Sequence, residues 1–213
     1  MTDVAALFGQ MDIYLFDQIQ RGQIGPEASL LDAGCGGGRN LTFFLREGYE
    51  VMGIDSDERA IMAVRAQAGR LAPSLPASNF RAEKLESTTF PDGVADVVIS
   101  SAVLHFARDE QHFADMLRGT WRLLRDNGLF FCRLASSIGM PERFRPLGGG
   151  RYLLPDNSER FLVDEPMLLE WTATLSGTLL DPIKTTVVQD SRCMTTWVLR
   201  KRALIASQIA PRV

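Results

Sequence analysis

The residues with the clearest chemical potential form a glycine-rich stretch followed by an isolated acid. Residues 30–40 read Leu-Leu-Asp-Ala-Gly-Cys-Gly-Gly-Gly-Arg-Asn, with glycines at positions 34, 36 and 38 among them. Glycines at this spacing permit positive φ angles and let a ligand approach the backbone without a Cβ in the way. Asp55 follows Gly34 by 21 residues, close to the spacing of about 20 residues at which an acid meets ribose hydroxyls in doubly wound folds. Together these features predict a site for a nucleotide-type cofactor.

Two residues of this stretch argue against a nicotinamide dinucleotide. The dinucleotide fingerprint G-x-G-x-x-G requires a glycine at position 39, where this chain has Arg39. Asp32 precedes the first glycine by two residues, and its carboxylate would repel a pyrophosphate bound at a helix N-terminus. The same carboxylate would attract the ammonium and sulfonium groups of S-adenosylmethionine. The sequence favours that cofactor, and a nicotinamide-dependent oxidoreductase is the less favoured alternative.

The elements that must position these residues alternate between strand and helix after residue 28. Apolar runs predict strands, and apolar positions at helical spacing between stop signals predict helices. The predicted strands are residues 29–33, 49–54, 96–101, 129–134, 183–188 and 193–199, and the predicted helices are 12–21, 40–46, 57–70, 113–124 (stopped by Asn127 and Gly128) and 166–175. Because a few residues join the last two strands, these must pair antiparallel. The order predicts an α/β fold with a doubly wound, Rossmann-like sheet, mostly parallel with an antiparallel C-terminal strand.

Two stretches rich in proline and glycine, residues 71–78 and 140–155, are predicted to be loops. The second follows the fifth strand at the carboxyl end of the sheet, where ligands bind in such folds. Its arginines and aromatic residues could clamp an anionic or planar substrate, or they could meet only water. The candidate substrate contacts there are Arg143, Arg145 and Tyr152.

The composition sets limits on the class of protein. The 213 residues are 46% hydrophobic with a formal net charge of -3, which predicts one compact domain and argues against nucleic-acid binding through a general positive field. Three scattered cysteines predict a reducing compartment, and two histidines without suitable partners predict no metal site. The sequence contains no 18-residue apolar run, and its first residues predict no signal peptide. We therefore expect a cytoplasmic protein that binds neither a membrane nor nucleic acid.

The chain resembles the class I S-adenosylmethionine-dependent methyltransferases over about residues 12–200. The acid and G-x-G-x-G at residues 32–38 match the first motif of that family, Asp55 matches its ribose-binding acid, and residues 90–105 match its fourth-strand region. The run 34–40, followed by Gly-Tyr and Asp55, also looks like the small methyltransferases of the tellurite-resistance type or of the type 11/12 subgroup. The resemblance implies the seven-stranded methyltransferase fold.

The resemblance also implies the contacts to the cofactor. These are Asp32, Gly34, Cys35, Gly36, Gly38, Arg39, Asp55, Ser56, Glu83, Lys84, Leu85 and Ser101. Asp55 would take both ribose hydroxyls, Ser56 would lie beside the adenine, and Ser101 would face the sulfonium end. Glu83 replaces the usual Asp near the adenine amine, and the segment from Glu83 to Phe90 is one residue longer than in the family.

The chemistry implied by the resemblance is direct displacement of a methyl group from the sulfonium onto a small-molecule acceptor. This chemistry needs alignment and exclusion of water rather than a catalytic triad. A hydroxyl or protonated amine acceptor would also need a base, for which His105 is the nearest candidate, although packing against the next helix is equally open. Cys35 is expected to be a small buried side chain rather than a nucleophile, and His112 is expected at the surface. The rival hypothesis is a scaffold that binds the cofactor without chemistry.

Three segments follow from these expectations. Residues 1–25 would form an N-terminal helical cover over the cofactor, as in the family, with Tyr14 toward the substrate, although its apolar stripe is also consistent with mere packing. Residues 26–202 would form the methyltransferase domain, with a substrate loop at 138–164, and residues 203–213 would form a tail. The sequence is compatible with a monomer or a homodimer.

Overall fold

The computed structural model describes residues 7–203, which form a mixed sheet with helices on both faces and a smaller second sheet. In chain order the helices and strands are α1 (Ile13–Gln20), β1 (Ser29–Ala33), α2 (Thr42–Arg46), β2 (Glu50–Asp55), α3 (Glu58–Leu71), β3 (Phe80–Ala82), β4 (Ala95–Ser101), α4 (Glu110–Arg122), β5 (Leu124–Ser136), β6 (Arg145–Gly148), β7 (Arg151–Leu153), β8 (Glu159–Phe161), α5 (Glu165–Thr174), β9 (Gly177–Leu179), β10 (Lys184–Val188) and β11 (Arg192–Lys201).

The main sheet has the strand order β10-β11-β5-β4-β1-β2-β3, and β9 pairs with the outer part of β11. The five strands from β5 to β3 are mutually parallel. β11 is antiparallel to β5, β9 and β10. The chain adds strands on one side of β1 (β2 and β3) and then on the other (β4 and β5). Such a change of direction leaves a crevice for ligands beyond the carboxyl ends of β1 and β4. The predicted fold class, with its antiparallel C-terminal strand, is confirmed.

Apolar side chains cover both faces of the sheet because its central strands are buried on both sides. In β1, Leu30 packs in the cluster that contains α1, α2 and α3, and Leu31 packs in the cluster that contains α4 and α5. This alternation follows from the two-residue period of a strand. The sheet is therefore a rigid support whose loops at one edge can build a site.

Helix α4 ends earlier than the sequence predicts. It stops at Arg122, and Asn127 and Gly128 lie inside β5 rather than at the helix end. The backbone N–H of Gly93 donates to Arg122 O, and that of Ala95 donates to Leu123 O. These hydrogen bonds to the start of β4 take the carbonyl groups at the end of α4, and the helix ends there. Asn127 has φ 63° within an irregularity of the β4–β5 pairing. Asn127 and Gly128 do change the direction of the chain, but they form a β-bulge within β5 and not the end of α4.

The predicted loop at 140–155 contains most of a three-stranded antiparallel sheet, β6-β7-β8. The three glycines at 148–150, which all have positive φ, form the tight turn between β6 and β7. Met140, Phe144 and Leu154 are buried in a small apolar cluster against the end of β5. The prediction of a loop was therefore wrong for most of this stretch, because buried side chains on either side of the turn hold it in a sheet.

Other expectations concern single residues and the chain ends. Cys35, Cys132 and Cys193 are buried and free. Among residues 7–203, no helix is long and apolar enough to cross a membrane. Residues 1–6 of the predicted cover and 204–213 of the predicted tail lie outside the described residues.

Candidate functional site

A cavity of about 590 Å³ opens at the carboxyl ends of β1, β2 and β4. Its walls are the glycine loop after β1 and the segments that follow β2, β3 and β4, together with one side of α4. The lining residues that the sequence analysis identified are Gly34, Cys35, Gly36, Arg39, Asp55, Ser56, Glu83, Lys84, Leu85 and Ser101. The fold thus brings together residues that are up to 67 positions apart in the chain.

The glycine loop is held tightly against the sheet. The backbone N–H groups of Gly34 and Cys35 both donate to Ile54 O on β2, at 2.7 and 2.9 Å. Gly34 has φ 88°, and a Cβ there would lie 2.3 Å from a methyl carbon of Val103. Gly36 has φ 50°, and a Cβ there would meet nothing within 4 Å. The first glycine is therefore required by packing, whereas Gly36 leaves open space beside the backbone.

Asp32 lies under this loop with its carboxylate buried. The residue is 1% exposed, and neither carboxylate oxygen has a hydrogen-bond partner among residues 7–203. The nearby Asn40 amide does not reach hydrogen-bonding geometry with it and instead accepts from the backbone N–H of Asp12. Burial raises the pKa of Asp32 to about 7, although the guanidinium of Arg39 opposes the shift. Asp32 does not itself line the cavity. Its unpaired buried carboxylate, beneath the glycine loop, is costly to leave without a counter-charge.

Asp55 ends β2 at the side of the cavity. Its carboxylate accepts from the backbone N–H of Gly36 at 2.8 Å and from that of Asp57 at 2.9 Å. These bonds fix the side chain between the glycine loop and the start of α3. A carboxylate has about four acceptor positions, so about two remain for hydroxyl donors. Ser56 is exposed beside it on the cavity wall.

The carboxylate of Glu83, the predicted adenine contact, already accepts several hydrogen bonds from within the chain. It accepts from the Thr88 hydroxyl, the Thr89 hydroxyl and the Thr89 backbone N–H, at 2.6 to 2.8 Å. Partial burial favours a higher pKa for Glu83, but these hydrogen bonds, aided by Arg81, hold it below its usual value. Its backbone N–H donates to Asp55 O at 3.0 Å. Glu83 lines the cavity, but only about one acceptor position of its carboxylate is left.

Ser101, at the end of β4, belongs to a buried network that the sequence analysis missed. Its hydroxyl accepts from Arg39 at 3.0 Å and donates to Asp12 at 3.1 Å. Asp12 also pairs with Arg133 at 3.1 Å and caps α1 by accepting from the Tyr14 N–H. The network joins α1, the glycine loop, β4 and β5. The N-cap pattern at Asp12 was the available sequence signal, since a buried partner on β5 leaves no local pattern.

Of the two histidines, His112 and not His105 lines the cavity. His105 is buried, does not line the cavity, and accepts from the backbone N–H of Ala135 at 3.1 Å through Nδ1. Burial, with Arg160 and Arg192 nearby, lowers the pKa of His105 to about 4. His112 instead lines the cavity, where its Nδ1 accepts from the Arg108 N–H and its Nε2 lies 3.5 Å from Glu86. The geometry does not support His105 as a base, because it does not line the cavity and its Nδ1 already accepts a hydrogen bond from β5.

The predicted substrate residues do not converge on the cavity. The Tyr14 hydroxyl hydrogen-bonds Thr186 at 2.7 Å, and Arg133 lies over the Tyr14 ring. Arg143 and Arg145 are exposed on the second sheet and its approach. Tyr152 lines a different cavity, between α4, α5 and the second sheet. None of these four predicted residues lines the first cavity.

Other predicted roles depend on charge and burial. Burial raises the pKa of the Cys35 thiol far above its usual value, which keeps it protonated and unsuited to nucleophilic attack. Gly38, also predicted as a contact, packs against α3, where a Cβ would lie 2.4 Å from Gln67 Oε1. Among residues 7–203, no group of three or more His, Cys, Asp or Glu is arranged to hold a metal ion.

Sequence comparison relates the central part of the chain to known proteins. Residues 31–132 match the family described as "Methyltransferase domain". A relative from Mycolicibacterium smegmatis, described as a probable S-adenosylmethionine-dependent methyltransferase, is 29% identical over 119 residues. The match covers 55% of this chain and 42% of that relative, so the chain spans less than half the length of the relative it matches.

Structure comparison supports the same fold over most of the chain. A SAM-dependent methyltransferase from Methanosarcina mazei has a TM-score of 0.70 at 18% identity, covering 86% of this chain and 97% of that one. The 1,6-didemethyltoxoflavin-N1-methyltransferase of Burkholderia thailandensis, with bound 1,6-didemethyltoxoflavin and S-adenosylhomocysteine, has a TM-score of 0.69 at 21% identity, covering 92% and 80%. Residues 31–132 are therefore similar to a methyltransferase family, and the chain shares its fold with these two solved methyltransferases.

Proposed function

We propose that this protein is a methyltransferase that uses S-adenosylmethionine to methylate a small-molecule acceptor by direct displacement. The observation that carries the proposal is the buried Asp32 carboxylate, which has no hydrogen-bond partner among residues 7–203. A native protein rarely leaves such a group unpaired without a functional reason. The ammonium of the cofactor would supply the missing charge and hydrogen bonds.

The residues around the cavity fit the rest of that cofactor. Asp55 is fixed by two backbone donors and retains acceptor positions for ribose hydroxyls. The open space beside Gly36 admits a ligand close to the backbone. When bound, the cofactor supplies an activated methyl group and its own leaving group. The chain must then orient the reactants and exclude water, which is the contribution that positioning makes to such reactions.

The N-terminal helix lies next to the cavity wall, although none of Ile13–Gln20 lines the cavity itself. The carboxylate of Asp12 is fully buried, and its bonds to Ser101 and Arg133 hold α1 against the ends of β4 and β5. Because Ser101 lines the cavity and also binds Arg39, the position of the helix is coupled to the cavity wall. We infer that α1 acts as the cover of the site.

A small-molecule acceptor is favoured over a macromolecular one. The cavity is enclosed on several sides by the glycine loop and α4, and its volume of about 590 Å³ lies in the usual range for small-molecule sites. The formal net charge of -3 also provides no general attraction for nucleic acid. In the Burkholderia thailandensis enzyme, the bound 1,6-didemethyltoxoflavin is itself a small molecule.

Calorimetric titration with S-adenosylmethionine and, separately, with NAD tests the cofactor assignment. We expect binding of the former and not of the latter, and a loss of at least tenfold in affinity for Asp55→Ala, because the ribose loses a charged acceptor. Asp92→Ala is the matched control, since Asp92 is an exposed acid paired with Arg122 away from the cavity. Failure of folded, ligand-free protein to bind S-adenosylmethionine would refute the proposal.

Turnover separates an enzyme from a cofactor-binding scaffold. Incubation with methyl-labelled S-adenosylmethionine and a panel of small molecules should transfer label and increase the mass of an acceptor by one methyl group. Tight cofactor binding without transfer to any acceptor across the panel would favour the scaffold. The His105→Ala variant belongs in the same assay, and we expect its cofactor affinity to be nearly unchanged, because His105 is outside the cavity wall.

A further inference from the structure

Phe106 is an aromatic side chain exposed at the wall of the cavity. It ends the short helical turn Leu104–Phe106 that follows β4, and it is 58% exposed. Its neighbours Leu104 and Ala107 are 0% and 2% exposed. The buried neighbours fix the turn and therefore hold the ring toward the opening. A large exposed aromatic side chain in such a position offers a face for stacking.

Two arginines accompany this ring. Arg160, on β8 of the second sheet, has its guanidinium carbon 4.9 Å from the centre of the Phe106 ring. Arg108 lines the cavity two residues after Phe106. In the part of the chain that the structure describes, neither guanidinium forms a salt bridge with a carboxylate, and Arg160 donates to the backbone carbonyl of Glu159.

The nearby acids are already engaged. Asp109 accepts from the His112 backbone N–H at the start of α4, and Glu86 lies 3.5 Å from His112 Nε2. Glu159 pairs with Arg151 at 2.6 Å. Asp156, which attracts Arg160 without forming a salt bridge with it, accepts from Ser158 and lies 3.9 Å from Arg192. The two arginines therefore keep charge available for a ligand. Guanidinium groups bind carboxylates and phosphates through paired hydrogen bonds, and they would repel a cationic ligand.

We propose that Phe106, Arg108 and Arg160 form the acceptor subsite and select a planar molecule with an anionic group. This inference rests on the proposed methyltransferase function and specifies its substrate class. The Phe106 ring stacks against the planar part of the acceptor, and the arginines bind its anionic group. Phe106 and Arg108 line the same cavity as the glycine loop, and Arg160 lies against the Phe106 ring. An acceptor held there therefore lies within reach of the cofactor site. Arg143 and Arg145 are not part of it.

Binding of three matched probes tests the subsite. The probes are 2-naphthoate, 2-naphthamide, which lacks the charge, and decahydro-2-naphthoate, which lacks the aromatic plane. Each is titrated calorimetrically into protein saturated with S-adenosylhomocysteine and, separately, into unloaded protein. We expect 2-naphthoate to bind the loaded protein at least tenfold more tightly than either other probe. Equal affinities for the three probes, or no detectable binding of 2-naphthoate, would overturn the proposal.

Substitutions assign the preference to residues. Arg108→Gln and Arg160→Gln should each reduce the preference for 2-naphthoate over 2-naphthamide by about tenfold. Phe106→Leu should reduce the preference for the aromatic over the saturated carboxylate while the preference for charge remains. Arg151→Gln is the control, because Arg151 lies on the same small sheet but is paired with Glu159. If the three variants matched the wild type, the subsite would be wrong.

The same titrations distinguish this inference from the proposed function. Affinity for S-adenosylhomocysteine is measured first in every variant and should be unchanged, which also shows that each variant is folded. A wild-type protein that does not bind S-adenosylhomocysteine contradicts the proposed function. A protein that binds it but shows none of the probe preferences contradicts the acceptor subsite alone.

Discussion

Asp12 and Asp32 are buried carboxylates at the same end of the sheet, yet their surroundings are opposite. Asp12 accepts from the Tyr14 N–H, the Ser101 hydroxyl and the Arg133 guanidinium, all between 3.0 and 3.1 Å. Asp32 accepts from none of the described residues. Three of the roughly four acceptor positions of the Asp12 carboxylate are filled by the chain itself, whereas all those of Asp32 are unfilled. The comparison separates a group that holds the fold together from one that requires a ligand.

The difference follows from the cost of burying charge. A buried ion needs donors or counter-charges to offset its desolvation. Around Asp12 these come from three elements, so that the carboxylate anchors α1. Around Asp32 the glycine loop places no donor within hydrogen-bonding geometry, and burial raises its pKa to about 7 instead. Local destabilisation of this kind is typical of functional sites, where one rule of folding is broken.

The largest expected effect on stability comes from substituting Asp12. Asp12→Ala removes the partner of a partly buried Arg133 and the cap of α1, and we expect the free energy of unfolding to fall by about 2 to 3 kcal/mol. Urea denaturation measures this change. Asp17→Ala, on the same helix, removes an exposed ion pair with Arg21 and should cost less than about 1 kcal/mol. Equal losses in the two variants would mean that Asp12 is not the anchor.

Substituting Asp32 should instead raise the free energy of unfolding. Asp32→Asn removes a buried charge, so we expect the ligand-free protein at pH 8 to gain about 1 kcal/mol or more in unfolding free energy. The affinity for S-adenosylmethionine should fall about 10- to 100-fold, since a charge-assisted contact contributes about 1.5 to 3 kcal/mol. Denaturation and calorimetry measure the two changes, with the exposed helix cap Asp57→Asn as control. A destabilised variant with normal affinity would place Asp32 with Asp12 as a structural residue.

The raised pKa of Asp32 predicts a dependence on pH. The folded protein holds this proton up to about pH 7, whereas the unfolded chain loses it near 3.8. Between these values the folded state binds more protons, so the contribution of Asp32 to unfolding free energy falls as pH rises and is lost above about 7. The stability gain of Asp32→Asn should therefore grow between pH 4 and 7 and then level off.

Cofactor affinity should change with pH in the other direction. An ammonium binds the ionised carboxylate, so affinity for S-adenosylmethionine should rise by up to about tenfold per pH unit below 7 and level off above it. Calorimetry across pH 5 to 8 measures this dependence. A flat affinity profile in the wild type would remove Asp32 from cofactor binding, and an Asp32→Asn profile as steep as the wild type would assign the dependence to another group.

The smallest expected effect concerns the hydrogen bond between α1 and β10. Tyr14→Phe removes the hydrogen bond to Thr186 and should lower the unfolding free energy by about 1 kcal/mol. Thr186→Val removes the other partner, and the double variant should lose less than the sum of the two single changes. Strict additivity would show that this bond adds nothing to the Asp12 anchor.

The sequence was sufficient for most of the fold. The strand predicted at 29–33 matches β1 exactly as observed, and the helix predicted at 57–70 differs from α3 by one residue at each end. Both have strong local signals, a short apolar run and an amphipathic stripe after an Asp cap. The residue patterns did not predict the end of α4, the short strands β3 and β9 or the sheet at 145–161, because these depend on pairing with other parts of the chain.

For the site, the sequence by itself determined the glycine loop, Asp32 and Asp55, since close backbone approach and acid spacing are local requirements. The tertiary structure decided which acid is left without partners, which histidine borders the cavity and which arginines accompany Phe106. Asp12 and Arg133 are 121 residues apart, yet their ion pair closes the network beside the cavity. Such contacts depend on how strands are ordered and helices are packed, and no spacing within the chain encodes them.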